Sequence, residues 1–275
     1  MEFNDDTYYD YPAVSASGIN LMLISPFVYW KHSPYNPDKI PDQDSDEKLL
    51  GRLTHILVLE SRSLLDERYL IIPEGMRRDK RTQVYQELMQ EAQTNDQILV
   101  PYNVVCEAEE LAENLLLNPI ARQIMQECTF ESPALVEKDG LKCKIKRDMR
   151  RNGLIIDYKT TTAITKAAYW KSCADYGYHR AAAWYLDIDE IERGERARGF
   201  MHIVQNKKYK DLIGFPVFTE EMIKLGTVEN DFAFAEIKQR LQSGNWAEWP
   251  QKIISAEFPD WYKVKGEWSN ADTGN

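Results

Sequence analysis

The feature that most narrows what this chain can fold into is a hairpin. Leu141, Cys143, Ile145 and Met149 alternate with Lys142, Lys144, Lys146 and Asp148, and a period of two puts successive side chains on opposite faces of a strand. Asn152-Gly153 follows, the dipeptide preferred in two-residue hairpin turns because both of its positions take positive φ. Leu154 to Thr160 is then the returning strand. A two-residue turn fixes the register: Arg151 faces Leu154, and counting back along both strands sets Asp148 directly opposite Asp157. Opposed Cβ atoms lie about 4.5–5.5 Å apart, and like charges placed there destabilise the pair. Something has to offset that repulsion.

In the same register Lys159 shares the face of Asp157 and Lys146 opposes it. Cys143, Ile145, Met149, Leu154, Ile156 and Tyr158 occupy the other, core-like face, with Arg147 as the exception. Two converging carboxylates beside an ammonium suit metal-assisted phosphodiester hydrolysis. Mg²⁺ takes hard oxygen ligands, usually one or two carboxylates plus water and substrate phosphate oxygens. The ion polarises the phosphate, and the lysine orients water or offsets charge developing on phosphorus. The blander reading of Asp148, Asp157, Lys146 and Lys159 is a salt-bridge ladder on a solvated strand face.

Around the hairpin the pattern is mostly helical. Val14-Ser15-Ala16-Ser17 leads with a Ser cap into a helix carrying Ile19, Leu21, Met22 and Leu23, and Pro26 restarts a second through Trp30. A Pro-, Asp- and Asn-rich loop from Ser33 to Asp46 precedes a third, in which Leu49, Leu50, Leu53, Ile56 and Leu57 recur at helical spacing and carry His55. Val84, Leu88 and Ala92 predict a further helix, and others are predicted over 103–117 and from Asn118-Pro119 onward. Strands are expected from Ala134 to Thr162, at 199–205 and at 212–218, with helices at 166–175, 178–191 and 220–241. Helices on either side of a strand cluster predict one layered α/β or α+β domain across residues 1–275.

With 275 residues, 43% hydrophobic, no run of about 18 apolar residues and no basic-then-apolar N-terminal leader, the chain reads as a water-soluble cytoplasmic protein with no membrane span. Cys106, Cys128, Cys143 and Cys173 are too widely spaced for a zinc or redox pair and read as buried thiols. The net charge of −10 argues against wholesale coating of nucleic acid. Positive charge is nonetheless concentrated locally, at Lys138, Lys142, Lys144, Lys146, Arg147, Arg150 and Arg151, and again at Arg77, Arg78, Lys80 and Arg81. Such runs are ordinarily solvated surface; beside a phosphodiesterase site they would track phosphates without reading sequence. Tyr8, Tyr9, Tyr11, Trp30 and Tyr35 are expected to pack the first helices onto the core rather than to stack on unpaired bases.

Ile156-Asp157-Tyr158-Lys159-Thr160-Thr161, preceded by Lys146-Arg147-Asp148, resembles the PD-(D/E)xK nuclease signature. Further segments resemble its RecE exonuclease branch, the C-terminal nuclease domain of exodeoxyribonuclease VIII. They are Tyr9 to Trp30, Leu50-Gly51 through His55 to Leu59-Glu60, Arg77-Arg78, Tyr178-His179 through Tyr185, and Phe258-Pro259-Asp260-Trp261. The resemblance runs over roughly residues 7–263. It implies a restriction-endonuclease-like core, a central mixed β-sheet flanked by α-helices, with a helical N-terminal elaboration.

It also implies a Mg²⁺-dependent exodeoxyribonuclease, with Mn²⁺ able to substitute, that degrades linear double-stranded DNA from its 5′ ends in phage-type recombination. The implied partners are DNA ends and a single-strand annealing protein, and related exonucleases form homo-oligomeric rings. Asp148 and Asp157 take the positions of the metal-binding acids, Lys159 of the catalytic lysine, and His55 and Glu60 of the helical His and Glu. On an ideal helix Glu60 points about 140° away from His55, so both reach one site only if the helix ends between them or Glu60 serves an outer shell. Arg77, Arg78, Lys144, Lys146 and Tyr185 are the expected DNA contacts. Ala181 stands where this branch tends to carry a Gln, which leaves His179 or Arg180 as substitutes. Two alternatives stay open: a catalytically weakened DNA-end-binding protein of the same fold, and a structure-specific or site-specific endonuclease.

Overall fold

The computed structural model describes residues 5–41, 45–249 and 252–258. Three short helices come first, α1 (Asp5–Asp10), α2 (Ala16–Ile24) and α3 (Pro26–His32). Ser15 caps α2 through Gly18 N–H, and Ser25 both ends α2 and caps α3 through Val28 N–H, satisfying amide groups that a helix start leaves without partners. α4 (Asp46–Leu59) starts at Ser45 with Asp46 and Glu47 in its first turn, where acids complement the helix dipole. α5 (Arg62–Arg68), β1 (Tyr69–Ile72), α6 (Gln83–Thr94), β2 (Ile98–Pro101), α7 (Tyr102–Leu117) and α8 (Pro119–Met125) complete the helical half. The parallel pair of β1 and β2 was not expected; its four-residue strands are too short to show an alternation.

The second half is the sheet. β3 (Thr129–Lys138), β4 (Leu141–Arg151) and β5 (Leu154–Thr161) run antiparallel. α9 (Lys166–Asp175) and α10 (Tyr178–Arg193) then cross over to β6 (Gly199–Asn206), which pairs parallel to β5. β7 (Ile213–Gly214) closes the edge and α11 (Glu220–Ser243) follows. The order β3-β4-β5-β6-β7 is a central mixed sheet flanked by helices, the expected α/β architecture. The predicted strand over 212–218 is reduced to β7 and an isolated bridge at Val217. Pro216 has no N–H to give a ladder, and its carbonyl accepts from His202 N–H at 2.9 Å instead.

Asn152 and Gly153 have φ of 48° and 78°, the two positive values a type I′ turn requires. Asp139-Gly140, at 48° and 84°, makes the same kind of turn between β3 and β4. β3 consequently begins at Thr129, five residues earlier than the alternation suggested.

The expected single core face of the hairpin is split. Met149, Ile156 and Tyr158 pack with Met201, Ile203 and residues of α4 and α7, including Val58, Leu59 and Leu115. Cys143 and Ile145 lie on the other side, against Trp184 and Ile188 of α10 and Ala233 and Ile237 of α11. The strand changes sides beside Glu131. This residue has φ +46°, and the β3–β4 partners run Phe130↔Met149 and Ser132↔Arg147 with no pair between them.

Tyr8 is buried and Trp30 stacks on Trp246 at 4.7 Å, so these two aromatics pack as expected, whereas Tyr9 is exposed. Cys143 and Cys173 are buried, while Cys106 and Cys128 are half-buried; all four are free thiols. Among the described residues no helix is long and apolar enough to cross a membrane.

Candidate active site

The β4–β5 ladder holds the predicted register through Arg151↔Leu154, Arg150↔Ile155 and Met149↔Ile156, and there it stops. The next pair would be Asp148 and Asp157. The strands part instead, and Asp148 Oδ2 accepts the Tyr158 N–H at 2.8 Å, a donor that a continued ladder would have given to the carbonyl of Arg147. The like-charge opposition read from the sequence is thus relieved by splaying the strands, and the splay makes the site.

His55 enters from α4. Its Nε2 lies 2.8 Å from the carbonyl oxygen of Tyr158; a carbonyl can only accept, so Nε2 carries the proton. Burial, reinforced by the charge of Lys159, lowers the pKa of His55, which leaves a neutral ring with its lone pair on Nδ1. That lone pair lies 3.6 Å from Asp148 Oδ2. With Asp148 ionised, two electron-pair donors face each other. Glu131 supplies a third, and one ligand atom from each of His55, Glu131 and Asp148 lies within 4.8 Å of the other two. Imidazole and carboxylate oxygens together form a donor set that suits a divalent cation.

The electrostatics show the same lack of positive charge. Burial, with the charge of Asp157 added, pushes Asp148 up to about 7. Glu131 is raised by burial and by Asp148, although Lys146 Nζ lies 2.5 Å from its carboxylate. Burial acts on Asp157 in the same direction but is outweighed by Lys159 and His202, which hold it below the usual carboxylate range. Burial would lower Lys159, but Asp157 and Asp148 raise it above an ordinary lysine, so it is an ammonium. Lys159 Nζ is 2.7 Å from Asp157 Oδ2. That oxygen is buried and makes no well-aligned hydrogen bond, so the oblique contact with Lys159 is an ion pair before it is a hydrogen bond. Three carboxylates share this region with two ammonium groups and two neutral imidazoles.

The other sequence candidates fall elsewhere. Glu60 is the exposed residue just past the end of α4, and it acts on Tyr69 rather than joining the His55 cluster. Lys144 is not a DNA contact: it is buried, and its Nζ donates to the carbonyls of Tyr8, Tyr9 and Tyr11 at 2.6–3.0 Å. Lys146 is committed to Glu131 inside the site. Tyr185 donates its hydroxyl to the Lys146 carbonyl at 2.9 Å and packs against the core while staying half-buried. Arg77 and Arg78 are exposed, Arg78 in a two-pronged pair with Asp46 at 2.9 Å. Neither proposed substitute for the missing Gln is available, because His179 and Arg180 both bind Glu229 at 2.9 Å. Of the segment Phe258 to Trp261, residues 259–261 lie outside the described residues.

Three residues of the site, Glu131, His202 and Tyr169, were not singled out from the sequence, and Tyr178 entered only as the start of a segment that resembles the family. Glu131 could have been found, since the Asp139-Gly140 turn sets it opposite Asp148 by the same counting that paired Asp148 with Asp157. The placing of His202, Tyr169 and Tyr178 in the site could not. They arrive through the β5–β6 crossover, and no local pattern fixes the register of a parallel pair. His202 Nε2 is 3.4 Å from Asp157 Oδ2, and the Tyr178 ring lies 6.0 Å from Lys159 Nζ.

Among solved structures, a crystal structure described as a "putative exonuclease" from Eubacterium rectale matches with a TM-score of 0.63. It covers 97% of this chain and 99% of its own at 16% identity, a likeness of fold. No curated protein matches the sequence. The family described as "PDDEXK-like domain of unknown function (DUF3799)" matches residues 15–253. That span includes the splayed hairpin, His55 and every residue of the cluster, and the chain belongs to this family, with the fold of the PD-(D/E)xK nuclease superfamily.

Proposed function

We propose that this protein is a divalent-metal-dependent exodeoxyribonuclease acting on the ends of linear double-stranded DNA. The observation that carries the reading is the lone pair of His55 Nδ1 facing Asp148 Oδ2 at 3.6 Å, with Glu131 as a third donor and the Asp157–Lys159 pair alongside. His55, Glu131, Asp148 and Asp157 would hold the ion, Mg²⁺ by preference and Mn²⁺ in its place, which would supply Lewis-acid polarisation of the scissile phosphate and a more nucleophilic water. The protein's own groups do the rest. The Tyr158 carbonyl fixes the His55 tautomer, and Lys146 offsets the charge of Glu131. Lys159, a permanent ammonium in this setting, stabilises negative charge on the phosphate oxygens and orients the attacking water rather than deprotonating it. Arg77 and Arg78 are the exposed cations left to hold the DNA backbone, since exposed pairs such as Arg78–Asp46 exchange partners at little cost.

The resemblance to RecE-type exonucleases, and the description of the E. rectale structure as an exonuclease, support end-dependent action. Degradation of the 5′ strand, a ring-shaped oligomer, an annealing partner and a place in phage-type recombination belong to the same proposal. The test is cleavage of linear and closed circular duplexes of one sequence, with and without Mg²⁺. Loss of linear DNA only, with label released first from the 5′ end, is the expected result. Cutting of the closed circle would identify an endonuclease, and no cutting of either at any divalent ion concentration would leave an end-binding protein.

A further inference from the structure

Asp157 and His202 are register partners on the parallel strands β5 and β6. His202 is 1% exposed, and its ring is boxed edge-on by Phe218 at 4.8 Å, Tyr178 at 5.2 Å and Phe200 at 5.4 Å. Its two nitrogens reach two different groups. Nε2 lies 3.4 Å from Asp157 Oδ2, and Nδ1 is hydrogen-bonded to the hydroxyl of Tyr169. A carboxylate oxygen only accepts, so the nitrogen facing Asp157, Nε2, carries the N–H, and Nδ1 accepts from the Tyr169 hydroxyl. The alternative tautomer would set a nitrogen lone pair against a carboxylate oxygen and leave Tyr169 as an acceptor.

We propose that His202, with Tyr169 behind it, is a positioning residue that fixes the Asp157 carboxylate and thereby sets how tightly the site holds a divalent cation. The proposal rests on the nuclease reading of the site. Lys159 reaches Asp157 on a side chain that is 31% exposed, from the same strand and on a long flexible stem. His202 reaches it from the neighbouring strand on a ring that cannot turn. Both contacts fall on the same oxygen, Oδ2, and of the two partners only the imidazole is rigid. Partners of this kind, which orient a ligand without touching the ion, are worth about 10–100-fold in metal affinity.

The experiment measures Mn²⁺ binding to DNA-free protein by electron paramagnetic resonance of the free ion, with circular dichroism and melting curves reporting the fold. His202→Phe keeps the ring and removes both nitrogens, and is expected to bind Mn²⁺ about tenfold more weakly or worse. Its kcat on linear duplex should recover as Mn²⁺ is raised, and KM for DNA should stay unchanged. His202→Gln returns an N–H donor and is expected to restore most of the affinity. Tyr169→Phe removes one oxygen, frees the tautomer, and should weaken binding several-fold. Folded His202→Phe with wild-type Mn²⁺ affinity overturns the proposal. Should that variant fail to fold, wild-type affinity in Tyr169→Phe overturns it equally. Wild-type protein that binds no Mn²⁺ and cuts no DNA refutes the reading of the site itself, an outcome distinct from a metal-binding nuclease indifferent to His202.

Discussion

Strand β4 carries charge on both of its sides, and the two sides are built differently. Arg147 faces α10, where its Nε meets Asp189 Oδ1 at 3.0 Å and its terminal nitrogen meets Glu192; Arg147 and Asp189 are at most 1% exposed at their side chains. Arg150 and Arg193 also bind Asp189, at 3.1 and 3.2 Å. Every buried acid there has a guanidinium within hydrogen-bond reach. One residue further along, Asp148 turns toward α4 and meets a lone pair of His55, the charge of Asp157 and the carboxylate of Glu131. The first arrangement has its charges matched inside the protein. The second is short of positive charge, a shortfall that a divalent ion would fill. Buried polar groups that are only half satisfied cost stability, and such sites are kept where they do chemistry.

The largest separation of the two sides should come from the chemistry. Asp157→Ala and Lys159→Ala are each expected to lower kcat on linear duplex by about three orders of magnitude or more while leaving the fold intact, as a stopped cleavage assay and a melting curve on the same samples would report. Full cleavage by Lys159→Ala would remove that residue from its role. Asp189→Ala should do the reverse. It strands Arg147 without its buried partner and is expected to cost about 3 kcal/mol or more in urea unfolding, with turnover per folded molecule unchanged at low temperature.

A third variant sharpens the contrast through its sign. The pKa of Asp148 is raised by folding to about 7, so between the ordinary carboxylate range and about 7 the native state holds a proton that the unfolded chain has released. Metal-free wild-type protein therefore loses stability as pH rises through that window. Asp148→Asn removes this loss: it should melt higher than wild type at pH 8, by about 2–4 °C for each kcal/mol recovered, and show no such gain near pH 4, while its cleavage is lost. A wild-type melting temperature that does not fall across the window would contradict the strain assigned to Asp148. The smallest effects belong to the basic residues. Arg77→Ala should weaken binding to all duplex sequences alike and lower the salt slope by about one, whereas Lys144→Met, which removes a cation turned inward onto three carbonyls, should leave the salt slope as it is.

How far the sequence reached depended on how local each cause is. The Asn152-Gly153 turn fixed the register that sets Asp148 against Asp157, and the Val14-Ser15-Ala16-Ser17 entry, Pro26 and Asn118-Pro119 placed their helices, because these are short-range effects of a few residues. The parting of the strands was not legible, although the repulsion that drives it was. The burial of Lys144 could not be read either, since a basic run on an alternating strand looks alike whether N-terminal carbonyls cover it or water does. His202 depends on a crossover through two helices, and Glu60 points to solvent although α4 ends between it and His55.

The account stands most directly on a crystal of the wild-type protein soaked in Mn²⁺ and measured at the manganese absorption edge. It predicts one anomalous peak among His55 Nδ1, Glu131 and Asp148, with Asp157 adjoining and Lys159 beside the ion rather than in its place. A cluster that stays empty at saturating Mn²⁺, with His55 bonded directly to Asp148, would contradict it.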